Sequence, residues 1–412
     1  MKTGKAGGML PARRTSCRGA PKKGDIMREK ELKSLEPLLQ AAGSINNPYL
    51  KKAKAEERPI VGLVYHEIPE ELLTAAGCVP VFLRGTGGTG TELAESYFRQ
   101  ITCNYTRYTF NQVIEGAWSF LDGAVVYNSC DHMRRIYDNW KLLPNCPAYH
   151  FIYIPKKRGE IAKERYLEEL KKLIAATEKR FGVTVTDEKL AAAIRLHNET
   201  RRLQSEIYAM QKADAVPLLG NELLQVMLAG VSMPREDYNA LLRALITEIK
   251  AGGDAVLSKP RVRLLYAGGH ADSPQFFAQL DGLGAQVVAD NAGFGTRACE
   301  GQVREDGDPF HAIADYYFDE KPAATRQLGT QRERMERYEK LVQEYRIDGV
   351  ILTRIAMCDV WAFEQFMARD FLQRKDIPLL ELETDYAPDS MGQIRTRYQA
   401  FVESIESRNE NN

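Results

Sequence analysis

Two stretches of the sequence decide the fold, Asp122-Gly-Ala-Val-Val-Tyr-Asn-Ser-Cys130-Asp131 and Asp348-Gly-Val-Ile-Leu-Thr-Arg-Ile-Ala-Met-Cys358-Asp359. Each contains an apolar run that starts at Asp-Gly, ends near Cys-Asp and leads into a helical pattern. A short β-branched run of this kind is typical of a buried central strand in a parallel sheet. Ligands of open α/β sheets bind at the carboxyl ends of such strands. The sequence therefore predicts that the fold presents a cysteine at a ligand-binding position twice.

The regions around the two stretches repeat the same order of strands and helices. The predicted strands of the first region are residues 60–65, 79–83, 123–127 and 148–154. Those of the second region are residues 262–267, 286–289, 350–353 and 379–383. Helical patterns separate the strands, as in a parallel sheet that is covered on both faces. The sequence therefore predicts an α/β fold with two related, Rossmann-like parallel-sheet domains and a helical segment between them.

The sequence between the two regions is strongly helical, with apolar residues at helical spacing and charges on the opposite face. It predicts a helical spacer or lid that packs on the α/β domains, and no residue in it stands out as catalytic. We expect four segments along the chain: a disordered basic tail at 1–27, a first α/β domain with an N-terminal helix at 28–155, a helical segment at 156–255, and a second α/β domain at 256–412.

The composition excludes several classes of function. The 412 residues include 56 Lys and Arg and 56 Asp and Glu, so no net charge draws the chain to nucleic acid or to anionic lipid. No apolar run reaches the roughly 18 to 20 residues that span a bilayer, and the basic N-terminal stretch lacks the apolar segment of a secretory signal. The 7 cysteines are scattered, without the spacings of a zinc ribbon or a redox pair. We therefore expect a cytoplasmic protein with reduced thiols.

Three cysteines are the main candidate site residues: Cys103, Cys130 and Cys358. Cys103 begins the helical pattern that precedes the strand leading to Cys130. A thiol at the amino terminus of a helix has a lowered pKa, which favours the thiolate that binds metals. If the two domains face one another, three thiolates converge. Each cysteine also has a structural interpretation, as a small buried apolar residue.

Three thiolates without a fourth protein ligand suit a 4Fe-4S cluster in which one iron stays open to water, hydroxide or substrate. A structural zinc site requires four ligands, and the sequence offers no evident fourth. The expected cofactor is therefore one 4Fe-4S cluster per chain, held by three cysteines.

Two further features follow predicted strands of the first region. His66 and Glu67 follow the first strand, so they are candidates for a general acid or base in the same crevice as Cys130. A histidine that caps the next helix is the alternative. Gly85-Thr-Gly-Gly-Thr-Gly90 has the glycines of a phosphate cradle but lacks the Lys-Ser or Lys-Thr of a P-loop. It is interpreted either as a flexible loop or as a loop that closes over a phosphate-bearing acyl carrier.

Several segments carry a family resemblance when they are taken together with the segment around Cys103. They are Ile68-Pro-Glu-Glu-Leu-Leu-Thr-Ala-Ala-Gly77, Leu121-Asp-Gly123, Ser129-Cys-Asp-His-Met-Arg-Arg135 with Trp140, Ile377-Pro-Leu-Leu-Glu-Leu-Glu383, and Gly392-Gln-Ile-Arg-Thr-Arg397 with Ala400-Phe401. As a set they resemble the 2-hydroxyacyl-CoA dehydratase and benzoyl-CoA reductase subunit family, and the spacing is closest to that of the smaller, β-type subunits.

The resemblance implies a subunit of an oxygen-sensitive enzyme in which each of two homologous subunits holds a 4Fe-4S cluster through three cysteines, here Cys103, Cys130 and Cys358. It implies two partners: a homologous second subunit, in a heterodimer, and an ATP-hydrolysing iron-sulfur activator that injects one electron. The implied reaction is a lyase reaction, the radical elimination of water from a 2-hydroxyacyl-CoA through a ketyl. The alternative is an oxidoreductase subunit, of a benzoyl-CoA reductase or a related low-potential electron-transfer reductase.

A protein of a different class could share the predicted architecture. Two α/β domains around a cleft also suit a binding protein of the periplasmic-receptor type. The missing secretory signal and the paired Cys-Asp turns count against this class.

Overall fold

The computed structural model describes residues 28–64, 67–88, 90–269, 272–386 and 391–410, so the predicted tail at 1–27 lies outside the described residues. The described chain forms two four-stranded sheets in which every strand pair is parallel. The first sheet has the order β2-β1-β3-β4, with β1 (Ile60–Val64), β2 (Val79–Phe82), β3 (Gly123–Tyr127) and β4 (Ala148–Ile152). The second has the order β6-β5-β7-β8, with β5 (Val262–Gly268), β6 (Ala285–Asp290), β7 (Gly349–Ile355) and β8 (Leu379–Thr384). The predicted α/β fold with two Rossmann-like domains is confirmed.

The helices fall into three groups along the chain. Those before β4 are α1 (Leu35–Ala42), α2 (Pro48–Ala55), α3 (Glu70–Ala75), α4 (Asn104–Ile114) and α5 (Asp131–Trp140). Those between the sheets are α6 (Glu160–Phe181), α7 (Asp187–Met210), α8 (Gly220–Gly230) and α9 (Arg235–Gly252). Those after β5 are α10 (Pro274–Asp281), α11 (Thr296–Cys299), α12 (Pro309–Asp315), α13 (Gln331–Glu344), α14 (Asp359–Arg374) and α15 (Met391–Glu410). None of the helices in the described ranges is long and apolar enough to cross a membrane.

The two Asp-Gly sequences have the same structural role in the two sheets. The Asp122 carboxylate accepts a hydrogen bond from the backbone N–H of Ile60, 2.9 Å away, at the start of β1. The Asp348 carboxylate accepts one from the backbone N–H of Arg263, 2.7 Å away, near the start of β5. Each carboxylate thereby satisfies a backbone donor of the neighbouring strand and holds the two central strands in register. The repeat in the sequence is therefore a repeat in the structure.

The helical segment packs against both domains. Arg201 of α7 forms a buried ion pair with Glu71 of α3. Nε2 of His197, also on α7, lies 2.9 Å from the hydroxyl of Thr74 on α3. At the start of α8, two backbone N–H groups donate to the Asp281 carboxylate at the end of α10, each at 3.0 Å. The helical segment therefore connects the first domain to the second through buried polar contacts as well as apolar packing.

The contact of α7 with α3 generates a pH-dependent term in stability. Burial lowers the pKa of His197 to about 4, whereas the pKa of histidine in an unfolded chain is about 6.5. Between pH 6.5 and pH 4, this histidine is protonated in the unfolded chain but not in the folded chain. The free energy of unfolding therefore falls by about 3 kcal/mol as the pH drops from about 6.5 to about 4. Urea unfolding across this range should show that loss in the wild type and a smaller loss in His197→Gln. Identical pH dependence in the two proteins would contradict the assignment.

A second set of contacts joins the two domains directly. The Tyr386 hydroxyl, in the loop after β8, accepts a hydrogen bond from the backbone N–H of Gly85 at 2.9 Å and donates one to Asp272. Asp272 also accepts a hydrogen bond from the Thr86 hydroxyl at 3.2 Å. Gly85 and Thr86 belong to the glycine-rich loop, of which Thr89 lies outside the described residues. The described part of that loop is therefore an element of the domain interface.

Position 85 has no room for a side chain, because a Cβ atom on Gly85 would overlap the ring of Tyr386. We expect Gly85→Ala to lower the free energy of unfolding by about 1 to 3 kcal/mol, as overpacking of a filled site does, and denaturant unfolding measures this loss. In a Tyr386→Ala background the overlap is absent, so the same substitution should cost much less. Equal costs in the two backgrounds would show that the ring does not limit position 85.

Candidate functional site

The three candidate cysteines line one cavity between the two domains. Each of them immediately precedes the first residue of a helix: Cys103 precedes α4, Cys130 precedes α5 and Cys358 precedes α14. The first turn of a helix has unpaired backbone N–H groups and a partial positive charge. Three such helix termini therefore meet at one space, which favours a negatively charged occupant.

The rest of the cavity wall is largely apolar. Besides the three cysteines, it is formed by Tyr105, Ser129, Met133, Gly269, Arg326, Ile355, Val360 and Trp361. A wall of this kind limits access by water and strengthens electrostatic interactions inside the cavity. The cavity therefore combines three thiols with a largely apolar wall.

Local contacts hold the two cysteines of the first domain. The backbone N–H of Cys103 donates to Nδ1 of His132 at 3.2 Å, which ties the start of α4 to the start of α5. The sulfur of Cys103 lies 3.3 Å from the hydroxyl of Thr106. The sulfur of Cys130 accepts a weak hydrogen bond from the backbone N–H of Met133 at 3.5 Å, in the manner of a helix cap. The two thiols are therefore held in place before any ligand binds.

A tight turn presents Cys358 at the end of β7. Met357 has a φ of 64°, in the left-handed region that costs a residue with a side chain about 1 to 2 kcal/mol. The backbone N–H of Cys358 donates to the carbonyl oxygen of Ile355 at 3.0 Å and closes the turn. Backbone strain of this kind clusters at functional sites. The strained turn therefore fixes the position of Cys358 at the end of β7.

The pKa values of the thiols differ from the expectation. Burial raises the pKa of Cys103 to about 12 and that of Cys358 to about 11, and the nearby Cys130 thiol shifts both in the same direction. The predicted lowering of the pKa is therefore wrong for these two cysteines, because the loss of hydration outweighs the helix termini. Thiols in such a setting ionise when a metal cation replaces the proton.

The spacing of the three cysteines bears on the kind of metal group that they could hold. In the described ranges, no group of three or more His, Cys, Asp or Glu side chains gathers around one point as a metal ion requires. In a 4Fe-4S cluster each thiolate binds a different iron, so the sulfur atoms surround the cluster and lie further apart. Cys103, Cys130 and Cys358 on the wall of one cavity are compatible with that arrangement.

Two cations beside the thiols were missed by the sequence analysis. Arg326 lines the cavity, and Lys156 lies near Cys130, where it donates to the carbonyl oxygen of Asn128 and has its Nζ 5.3 Å from the centre of the Tyr127 ring. Burial lowers the pKa of Lys156 to about 8, and the charge of Arg326 adds to the effect. Lys156 comes shortly after β4, so its place at the carboxyl edge of the sheet was the available signal. No sequence signal marks Arg326.

Glu67 belongs to a group of buried ion pairs. Its carboxylate lies 3.1 Å from Arg297 and 3.9 Å from Nζ of Lys321. Lys321 in turn lines a second cavity, whose wall also carries the charged side chains of Glu70, Arg201 and Arg235. Glu67 is not among the described residues that line the cysteine cavity, and His66 lies outside the described residues. The acid or base role of these two residues stays a prediction.

Comparison with known proteins identifies the family. Residues 66–405 match the family model described as 2-hydroxyglutaryl-CoA dehydratase, D-component. The β subunit of (R)-phenyllactyl-CoA dehydratase from Clostridium sporogenes is 26% identical over 373 aligned residues, covering 88% of this chain and 96% of that protein. The β subunit of (R)-2-hydroxyglutaryl-CoA dehydratase from Acidaminococcus fermentans is 23% identical over 368 aligned residues, covering 86% of this chain and 95% of that protein. One of the subunits of benzoyl-CoA reductase from Thauera aromatica is 23% identical over 357 aligned residues, covering 84% of this chain and 91% of that protein.

These matches confirm the resemblance to 2-hydroxyacyl-CoA dehydratase and benzoyl-CoA reductase subunits. The relatives are subunits of dehydratases, which are lyases, and of an aromatic acyl-CoA reductase. The family model covers most of the sequence, including all three cysteines of the cavity. The chain therefore belongs to the 2-hydroxyglutaryl-CoA dehydratase, D-component family.

Proposed function

We propose that the chain is the iron-sulfur subunit of an enzyme that eliminates water from a 2-hydroxyacyl-CoA thioester. The observation that carries the proposal is the convergence of Cys103, Cys130 and Cys358 on one cavity between the domains. The relatives that are named as β subunits of acyl-CoA dehydratases support both the lyase reaction and a homologous partner subunit. The proposed site is based on the structure, and the proposed class of substrate is based on the relatives.

The three cysteines would hold one 4Fe-4S cluster in the cavity. When bound, the cluster supplies one-electron chemistry and an iron that is open to an oxygen ligand of the substrate. The apolar side chains of Met133, Ile355 and Trp361 line the cavity and would reduce the contact of reactive intermediates with water. The termini of α4, α5 and α14 stabilise negative charge on the thiolates.

We assign the acyl group to a cavity that adjoins the cysteine cavity. This neighbouring cavity shares Gly269 and Ile355 with the cysteine cavity. The other residues that line this neighbouring cavity are Tyr266, Ser273, Phe276, Thr353, Thr384, Asp385 and Tyr386. Tyr266, Thr353 and Thr384 lie near the carboxyl ends of β5, β7 and β8, where open α/β sheets bind ligands. Aromatic faces with a few hydroxyl groups suit an acyl chain that carries a hydroxyl.

In the proposed reaction, the acyl-CoA substrate takes up one electron and releases it again at the end. An ATP-hydrolysing iron-sulfur activator delivers the electron, the thioester carbonyl becomes a ketyl radical anion, and the hydroxyl on C2 leaves as hydroxide. Loss of a proton from C3 and return of the electron give the enoyl-CoA. Hydroxide and proton together make water, so the elimination consumes no reductant overall.

Iron analysis tests the cluster. Anaerobically reconstituted protein should contain about four irons and about four sulfides per chain, and replacing Cys103, Cys130 or Cys358 by Ala should abolish this content. Cys146→Ala is the matched control, because Cys146 is a half-buried free thiol outside the cavity, and its iron content should equal that of the wild type. Wild-type protein that remains free of iron after reconstitution would rule out the cluster.

Reduction of an aromatic acyl-CoA is the second candidate function, because one relative is a benzoyl-CoA reductase subunit. The two reactions differ in electron balance: dehydration returns its electron, whereas ring reduction consumes electrons with every turnover. The chain should therefore be assayed with its partner subunit, the activator, ATP and a strong reductant on 2-hydroxyacyl-CoA thioesters and on benzoyl-CoA. We expect enoyl-CoA formation without net consumption of reductant. Consumption of reductant with benzoyl-CoA, and no dehydration, would establish the reductase instead.

A further inference from the structure

The guanidinium group of Arg326 has an unusual electrostatic position. Within the described part of the chain it makes no hydrogen bond or ion pair, and its Nε is buried without a partner. Arg326 nevertheless lines the cavity together with the three cysteines, and its charge adds to the effect of burial in lowering the pKa of a second cation, Lys156. A buried N–H donor without a hydrogen-bond partner costs free energy. An anionic occupant of the cavity would offset that cost.

Neighbouring residues hold Arg326 in this position. The carbonyl oxygen of Gln327 accepts a hydrogen bond from Arg334 at 3.1 Å, and Arg334 forms a buried ion pair with Glu364 of α14 at 3.0 Å. The backbone N–H of Leu328 donates a hydrogen bond at 2.7 Å to the carbonyl oxygen of Lys156, which follows β4. The loop is thus fastened to both domains. These contacts of neighbouring residues fix the position of Arg326, so its own side chain can interact with an occupant of the cavity.

The charge of the proposed cluster site supplies the missing partner. Three thiolates and an oxidised 4Fe-4S core carry a net charge of about −1, which becomes about −2 when the cluster takes up one electron. In an apolar cavity a nearby cation stabilises such charge more than it would in water.

We propose that Arg326 is a positioning residue that compensates the negative charge of the cysteine-bound cluster and thereby raises its reduction potential. The inference rests on the proposed function, because it requires the cluster. The electron comes from the activator in the enzyme and from dithionite or titanium(III) citrate in the test. Arg326 takes no part in the transfer itself and acts only through the relative stability of the oxidised and reduced forms.

Redox titration monitored by electron paramagnetic resonance tests this role on the reconstituted chain. We expect Arg326→Gln to make reduction about tenfold less favourable, which is a midpoint potential about 59 mV more negative for one electron. Arg326→Lys keeps the charge and should restore most of the potential. Arg332→Gln is the matched control, because it removes the same charge from a side chain that is 92% exposed on α13, where solvent screens it. Its potential should equal that of the wild type.

Each outcome decides a separate question. An unchanged midpoint in Arg326→Gln at full iron content would overturn the inference. If Arg326→Gln fails to hold the cluster, Arg326→Lys decides: a midpoint close to the wild-type value supports charge compensation, and a lost cluster or a midpoint about 59 mV more negative overturns it. A wild-type chain that binds no iron would refute the proposed function, and the two failures are therefore distinguishable.

Discussion

The site depends on one hydrogen bond that occurs in each sheet. It runs from the backbone N–H of Ile60 to the Asp122 carboxylate in the first sheet, and from the backbone N–H of Arg263 to the Asp348 carboxylate in the second. It holds the two central strands of each sheet in register and so determines where β3 and β7 end. Each residue of a strand spans about 3.3 Å, so a shift of one residue would move the following cysteine by that distance. The same short sequence therefore positions one thiol in each domain.

Polar contacts then determine how the two domains face each other. The ion pair between Arg201 and Glu71 is buried in the contact of the helical segment with the first domain, and the Tyr386 hydroxyl joins the glycine-rich loop to Asp272 across the domain interface. Buried polar groups must find partners, and those partners have strict distances and directions. Such contacts restrict the separation of the domains more tightly than apolar packing does. The Tyr386 ring also packs edge-on against Tyr105, at 5.3 Å between ring centres, and Tyr105 lines the cysteine cavity. The interface and the cavity are thus parts of one packed unit.

The candidate site was predictable to the extent that its residues follow strands. Cys130 and Cys358 stand at the ends of recognisable buried strands, and Cys103 begins a helix, so hydrophobic patterning located all three. Arg326 lies in a loop without a motif, and its place beside the thiols depends on contacts with residues distant in the sequence. The thiol pKa values were predicted in the wrong direction, since helix termini are visible in a sequence but the extent of burial is not.

The sequence by itself determined the two parallel sheets, the strand-to-helix turns that carry Cys130 and Cys358, the helical character of the segment between the domains, and the family. These follow from local patterns, because strand and helix periodicity and turn residues act over a few neighbouring positions. Only the tertiary structure decided that the three thiols line one cavity, that Arg326 lines it without a partner among the described residues, and that Glu67 pairs with Arg297. Those features depend on desolvation and on the distances between groups far apart in the chain, and both are properties of the packed molecule.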